Sequence, residues 1–112
     1  MVLKMADAQK YIHPLEQITY TVDFQDLLPT TDSTLADIGS GSMITAVKSD
    51  GSDASEVLFS KTRTSKTLLV TLKNQVEGEE YLVTFLGQGA TSTQRFVRTV
   101  LFLVRSNLVG EF

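Results

Sequence analysis

Residues Ile18-Thr19-Tyr20-Thr21-Val22-Asp23-Phe24 alternate apolar and polar without a break. Successive side chains on a strand point to opposite faces, so this spacing predicts a β-strand with Ile18, Tyr20, Val22 and Phe24 on the core side. Thr19, Thr21 and Asp23 then face solvent. A helix would scatter the same four apolar residues around its circumference.

Further runs of β-forming residues recur at 34–38, 43–48, 56–60, 67–73, 81–86 and 94–105. Turn chemistry separates them: Leu28-Pro29-Thr30-Thr31-Asp32, Gly39-Ser40-Gly41-Ser42, Ser49-Asp50-Gly51-Ser52-Asp53, Glu77-Gly78 and Gly87-Gln88-Gly89. About seven strands at spacings of roughly 8 to 12 residues predict an all-β sandwich or small barrel. Asp50-Gly51 suits a tight hairpin turn. Residues 61–66 read as a polar connection, or as an edge strand protected by Lys61, Arg63 and Lys66.

A glycine shortly before a tyrosine that opens an alternating strand, as in Gly78-Glu79-Glu80-Tyr81, is the pattern of the tyrosine corner. That corner pins a loop through the phenolic hydroxyl in Greek-key sandwiches. It points to an immunoglobulin-like antiparallel sandwich of about seven strands, occupying 11–106, with 1–10 as a flexible N-terminal arm and 107–112 as a C-terminal tail. Tyr20, Val22, Phe24, Tyr81, Val83 and Phe85 are its expected structural residues.

In the last long run, Phe96, Arg98, Val100, Phe102 and Val104 share one parity, while Val97, Leu101 and Leu103 share the other. Both faces are apolar from Val100 onward. The expectation is a central strand whose second face is covered by a partner chain or by the N-terminal arm, with Val97, Leu101 and Leu103 as partner contacts.

With 112 residues and no cysteine, the chain must be held by packing alone, and scaling of surface with mass allows roughly two thirds of the unfolded surface to be buried. Ten basic and thirteen acidic residues give a formal charge of −3, which disfavours the phosphate attraction of a nucleic-acid binder. Apolar stretches of about five residues fall far short of the ~20 of a membrane-spanning helix. Residues 1–10 lack the apolar core of a secretory signal, so synthesis in a cytoplasm is expected.

Candidate chemistry is sparse. Nucleophilic catalysis needs a nucleophile, a base and an orienting group, and His13 is the single imidazole. It precedes Pro14 and reads as an ordinary surface histidine. Asp23 with Asp26, and Glu77 with Glu79 and Glu80, are close enough in sequence to test as carboxylate pairs, yet they fall on an outward strand face and in a turn. Asp50, Ser52, Asp53 and Ser55 offer oxygen atoms for calcium, but a loop opened by Asp50 would be closed by Lys61, a cation, where the bidentate glutamate belongs. Gly39-Ser40-Gly41-Ser42 lacks the Gly-Lys-Ser/Thr of a phosphate loop and reads as a flexible turn. No catalytic residue, cofactor or metal is expected.

Three segments carry a resemblance. Ile18 through Leu28, Asp32-Ser33-Thr34-Leu35, and Gly78-Glu79-Glu80-Tyr81-Leu82-Val83-Thr84-Phe85 resemble a small fibre-like, immunoglobulin-like virion protein of tailed bacteriophages. That family has a strand ending in Asp-Trp or Asp-Phe, a Leu-containing turn, an Asp-Thr/Ser-aliphatic step and a downstream Gly-x-x-Tyr-x-Val-Thr strand. The likeness spans 11–105 and departs at Phe24, where Trp is commoner, and at 39–42. The resemblance implies a non-enzymatic structural or decoration component of the phage head or tail, made in the host bacterial cytoplasm and resident in the virion. Its partners would be capsid or tail subunits and further copies of itself, with neither nucleic acid nor membrane. The competing reading is a carbohydrate-binding or adhesin-like sandwich, against which the absence of Trp argues.

Overall fold

The computed structural model describes residues 7–106, and the alternating segment runs through it as a strand whose burial follows the predicted parity. The elements in order are β1 (Ala8–Ile12), β2 (Ile18–Asp23), the single helical turn α1 (Ser40–Met43), β3 (Ile44–Lys48), β4 (Leu58–Arg63), β5 (Thr67–Leu72), β6 (Glu80–Gln88) and β7 (Arg95–Val104). They form a four-stranded sheet in the order β1-β7-β6-β3 and a three-stranded sheet in the order β2-β5-β4. Each sheet is apolar on its inner face, and the two stack to bury those faces against each other.

The core is built from alternate residues of each strand: Ile44 and Ala46 of β3, Leu68, Val70 and Leu72 of β5, Tyr81, Val83 and Phe85 of β6, and Val100, Phe102 and Val104 of β7. Phe24, Leu35 and Val57 join it from the connections. Tyr20 bridges the sheets, its ring meeting Phe102 edge-on at 5.4 Å and Phe85 at 6.2 Å between centroids. Tyr20 and Val22 are half-buried rather than fully buried because, among the described residues, β2 is an edge strand with β5 on one side only. Gly87 is the one place in β6 where a side chain would intrude, since a Cβ there would lie 3.1 Å from the Phe24 ring and 3.2 Å from Leu35.

The tyrosine corner is formed. Tyr81, 1 % exposed, accepts a hydrogen bond at its hydroxyl oxygen from the Val76 amide at 3.0 Å, which ties the β5–β6 connection to the start of β6. With its strand order, this makes the fold an immunoglobulin-like sandwich. Substituting Tyr81→Phe keeps the ring and strands the Val76 N–H. The expected loss is about 1 kcal/mol of stability with an unchanged denaturant slope, read by urea unfolding.

Several expectations are corrected. The stretch read as an N-terminal arm contributes Ala8, Gln9 and Lys10 to β1, which pairs parallel to β7 (Ala8 with Val100 through Ile12 with Val104) in an otherwise antiparallel fold. The weak alternation of this segment hid it, because an edge strand needs few apolar residues. Residues 34–38 are not a strand: only Leu35 bridges, to Gly89, while the segment crosses between the sheets. The loose turn expected at 39–42 is instead the helical turn α1 at Ser40–Met43, with the Ser42 and Met43 amides bonded to the Gly39 carbonyl, so the strand expected from 43 starts at Ile44. Residues 55–57 form a 3-10 turn ahead of β4, so the strand expected from 56 starts at Leu58. Of 61–66, the first part is edge strand and only Thr64 to Lys66 is connection. The 107–112 tail lies outside the described residues.

Candidate functional site

The connections β2–β3, β4–β5 and β6–β7 meet at one end of the sandwich, and backbone hydrogen bonds stitch them together. Leu35 N–H donates to Ser65 at 2.7 Å, Ala36 N–H to Gln88 at 2.7 Å and Ala90 N–H to Thr34 at 3.1 Å. The crossing segment is thus held by both sheets.

Asp32 locks this end. It is 6 % exposed, and its carboxylate accepts the Thr91 amide at 2.7 Å and the Ser92 amide at 2.9 Å on one oxygen and the Ser92 hydroxyl on the other. A buried carboxylate is tolerated because every bond it accepts satisfies a turn donor. Gly89 makes room for it, for a Cβ there would sit 2.2 Å from Asp32 Oδ2.

The Ser92 hydroxyl, then its amide, hold the Asp32 carboxyl below its ordinary 3.8, with Thr91 N–H adding to this and burial opposing it. A folded pKa below the unfolded one means a stabilisation complete above the unfolded value and lost as pH falls through the folded one. Asp50 and Asp53 are lowered likewise, chiefly by the Ser52 and Ser55 hydroxyls and amides. Stability is therefore expected to begin falling as pH drops below the ordinary carboxylate range. In Asp32→Asn, urea midpoints measured against pH should be lower at neutrality and flatter on the acid side.

Beside this end, Asp37, Gly39, Met43, Lys61, Thr62 and Arg63 line an open depression of about 480 Å³ between the β2–β3 connection and β4. Lys61 and Arg63 pair with Val70 and Leu68, the core-facing residues of β5, so both cations point toward the gap between the sheets. Arg63 donates to the Leu35 carbonyl at 3.1 Å and faces Asp37 Oδ2 at 3.9 Å. Inward charges on an edge strand are a standard guard against further pairing. The depression is that guard first.

The other sequence candidates are separated by the fold. His13 sits in the β1–β2 turn, its Nδ1 accepting the Leu15 amide at 3.1 Å and its carbonyl accepting Gln75 Nε2 at 2.8 Å. Gln75, which the sequence did not flag, also binds the Glu16 carbonyl at 2.7 Å and so pins that turn. Asp23 caps its own turn through the Gln25 amide, Glu77 meets the Ser106 hydroxyl, and Glu80 pairs with Arg105 at 3.4 Å. Asp50 and Asp53 each bind the serine two residues on. Among the described residues no three His, Asp or Glu side chains gather as a metal site.

Tyr20, Val22, Phe24, Tyr81, Val83 and Phe85 are placed together around the core. Val97, Leu101 and Leu103 lie on the outward face of the larger sheet but differ in access. Val97 is 49 % exposed, whereas Leu101 and Leu103 are 4 % and 7 %. In register, Leu101 lies between Gln9 and Leu82, and Leu103 between Tyr11 and Glu80. The segment expected to lie across this face instead joins β7 edge-on as β1. Val97 and Tyr11, 56 % exposed, are the accessible apolar groups there, with Phe59, 58 % exposed under Lys73 at 4.7 Å, on the other sheet. No helix among the described residues is long and apolar enough to cross a membrane. No family model matches the sequence, and no curated protein matches it.

Proposed function

We propose that this chain is a non-enzymatic structural or decoration component of a tailed-phage particle, in head or tail, acting through protein–protein contacts with capsid or tail subunits and with copies of itself. The observation that carries the reading is where the resemblance segments fall. Ile18 to Asp23 is β2 with Phe24 packed just beyond it, Asp32 is the loop lock and Tyr81 is the corner, so each segment does a fold-building job. None of these residues lines the depression. A family whose shared residues build the scaffold and leave the surface free is suited to assembly.

Asp23, Asp50 and Asp53 sit in turn bonds of their own, which is consistent with a surface that recognises by shape. Val97, Tyr11 and Phe59 supply exposed apolar area for such contacts. The test is co-sedimentation of the purified chain with particles encoded by the same genome. Saturable binding that Val97→Asp weakens is the expected result. A chain that stays in the supernatant, or that instead binds reproducibly on a glycan array, would overturn the proposal in favour of the adhesin-like reading.

A further inference from the structure

We propose that the free edge of β2 is a self-pairing surface: two copies join their β2 strands antiparallel about a twofold axis, merging two three-stranded sheets into one of six strands. The proposal deepens the self-association named above by giving it a surface. Its test needs only purified protein, so it can fail or succeed independently of the particle.

The four sheet edges differ in how they are guarded. The β4 edge carries inward-pointing Lys61 and Arg63 and a register irregularity between Leu58 and Ser60. The β3 edge is already occupied in part, for Ala54 N–H donates to Ala46 and Lys48 N–H to Ser52. The β1 strand is short, with Lys10 exposed on it. By contrast β2 has six regular residues without proline, lysine or bulge, and among the described residues nothing pairs with it beyond β5. In the constant-type arrangement the first strand lies beside the second, whereas here β1 pairs with β7 and, among the described residues, that place is open.

The backbone directions follow from the β2–β5 ladder. Phe24 N–H donates to the Lys66 carbonyl at 2.8 Å, which continues the register Val22–Leu68, Tyr20–Val70 and Ile18–Leu72. Even-numbered residues therefore form the hydrogen-bonded pairs with β5, and the N–H and C=O groups of Thr19, Thr21 and Asp23 point outward to the free edge.

A second copy fits those groups. Placing Tyr20 against Tyr20 on the axis sets Thr19 opposite Thr21, Ile18 opposite Val22 and Asp23 opposite Gln17. The outward pairs can then exchange both backbone hydrogen bonds, and no like charges meet. The half-buried Ile18, Tyr20 and Val22 gain cover on the side where they lack it. The strand is complementary to itself in bonding, in face and in charge.

Sedimentation velocity of the full chain over a range of concentrations tests this, with thermal unfolding of each variant alongside. The wild type should show a concentration-dependent dimer. The double variant Thr19→Lys, Thr21→Lys sets lysines directly opposite each other and should lose that dimer. Thr19→Lys with Thr21→Glu converts the same pairs to opposite charges and should restore it. Thr21→Pro, which removes an edge-facing N–H and no bond to β5, should also be monomeric. A monomeric wild type, a dimer indifferent to the paired lysines, or a Lys/Glu variant no better than the Lys/Lys variant would each overturn the proposal.

Discussion

Replacing Phe102 by alanine should destabilise the chain by about 3–5 kcal/mol, more than any other single truncation named here. Its ring is fully buried and lies on β7, in register between Lys10 of β1 and Tyr81 of β6, so the cavity would open in the middle of the larger sheet. The edge-on contact with Tyr20 across the sandwich would go as well. Domains of this kind have only about 5–15 kcal/mol in hand, so the variant should sit near its unfolding transition at ambient temperature. Phe102→Leu should recover much of the loss. Val97→Ala, on the same strand but exposed, should change stability by no more than about 0.5 kcal/mol. Urea unfolding of the three variants reads the series, and a larger loss at Val97 than at Phe102 would mean that β7 faces the core with the opposite parity.

The second large effect is a coupling. Gly89→Ala should be severely destabilising because its methyl would collide with the Asp32 carboxylate, whose neighbours Thr91 and Ser92 leave it no room to retreat. In an Asp32→Ala background the same Gly89→Ala change should cost clearly less, the remainder coming from the Ser92 hydroxyl, 2.8 Å from the added Cβ. The penalty belongs to the pair, so the double-mutant cycle should be strongly non-additive. Additive losses would show that Gly89 is needed for its backbone conformation and that the clamp has been misread. A proteolysis pattern opening first within 89–94 in Asp32→Ala would independently locate the loosened end.

Much of the sandwich is legible in the chain because strand faces obey a period of two wherever one face is buried. Ile18 to Phe24 follows from that rule alone, and Tyr81 follows from its glycine and its place at the head of a strand. What escapes is whatever depends on a partner distant in sequence. Asp32 reads as a turn residue until the fold brings it to Thr91 and Ser92, and Gln75 reads as a loop residue until it meets the carbonyls of His13 and Glu16. Leu35 looks like strand because its neighbours are β-formers, yet the chain there is crossing from one sheet to the other and has a different partner on each side. The β1 strand escapes for the opposite reason, since parallel pairing at an edge leaves almost no hydrophobic signature.

The apolar outward face of β7 shows the limit of parity reasoning in another way. Alternation locates Val97, Leu101 and Leu103 on one face, but access is set by neighbouring strands. Leu101 and Leu103 lie between β1 and β6 residues and are closed off, whereas Val97 lies beyond the end of β1 and stays open. The accessible apolar groups of this face are thus Val97 at one end and Tyr11, beside Leu103, at the other.

On the proposed reading this sandwich is a particle component whose surface makes contacts. Peptide mass spectrometry of gradient-purified particles from the same genome tests that most directly. The chain should migrate with the particles at a constant ratio to their major subunits across the gradient; a chain confined to the particle-free fractions would contradict that reading.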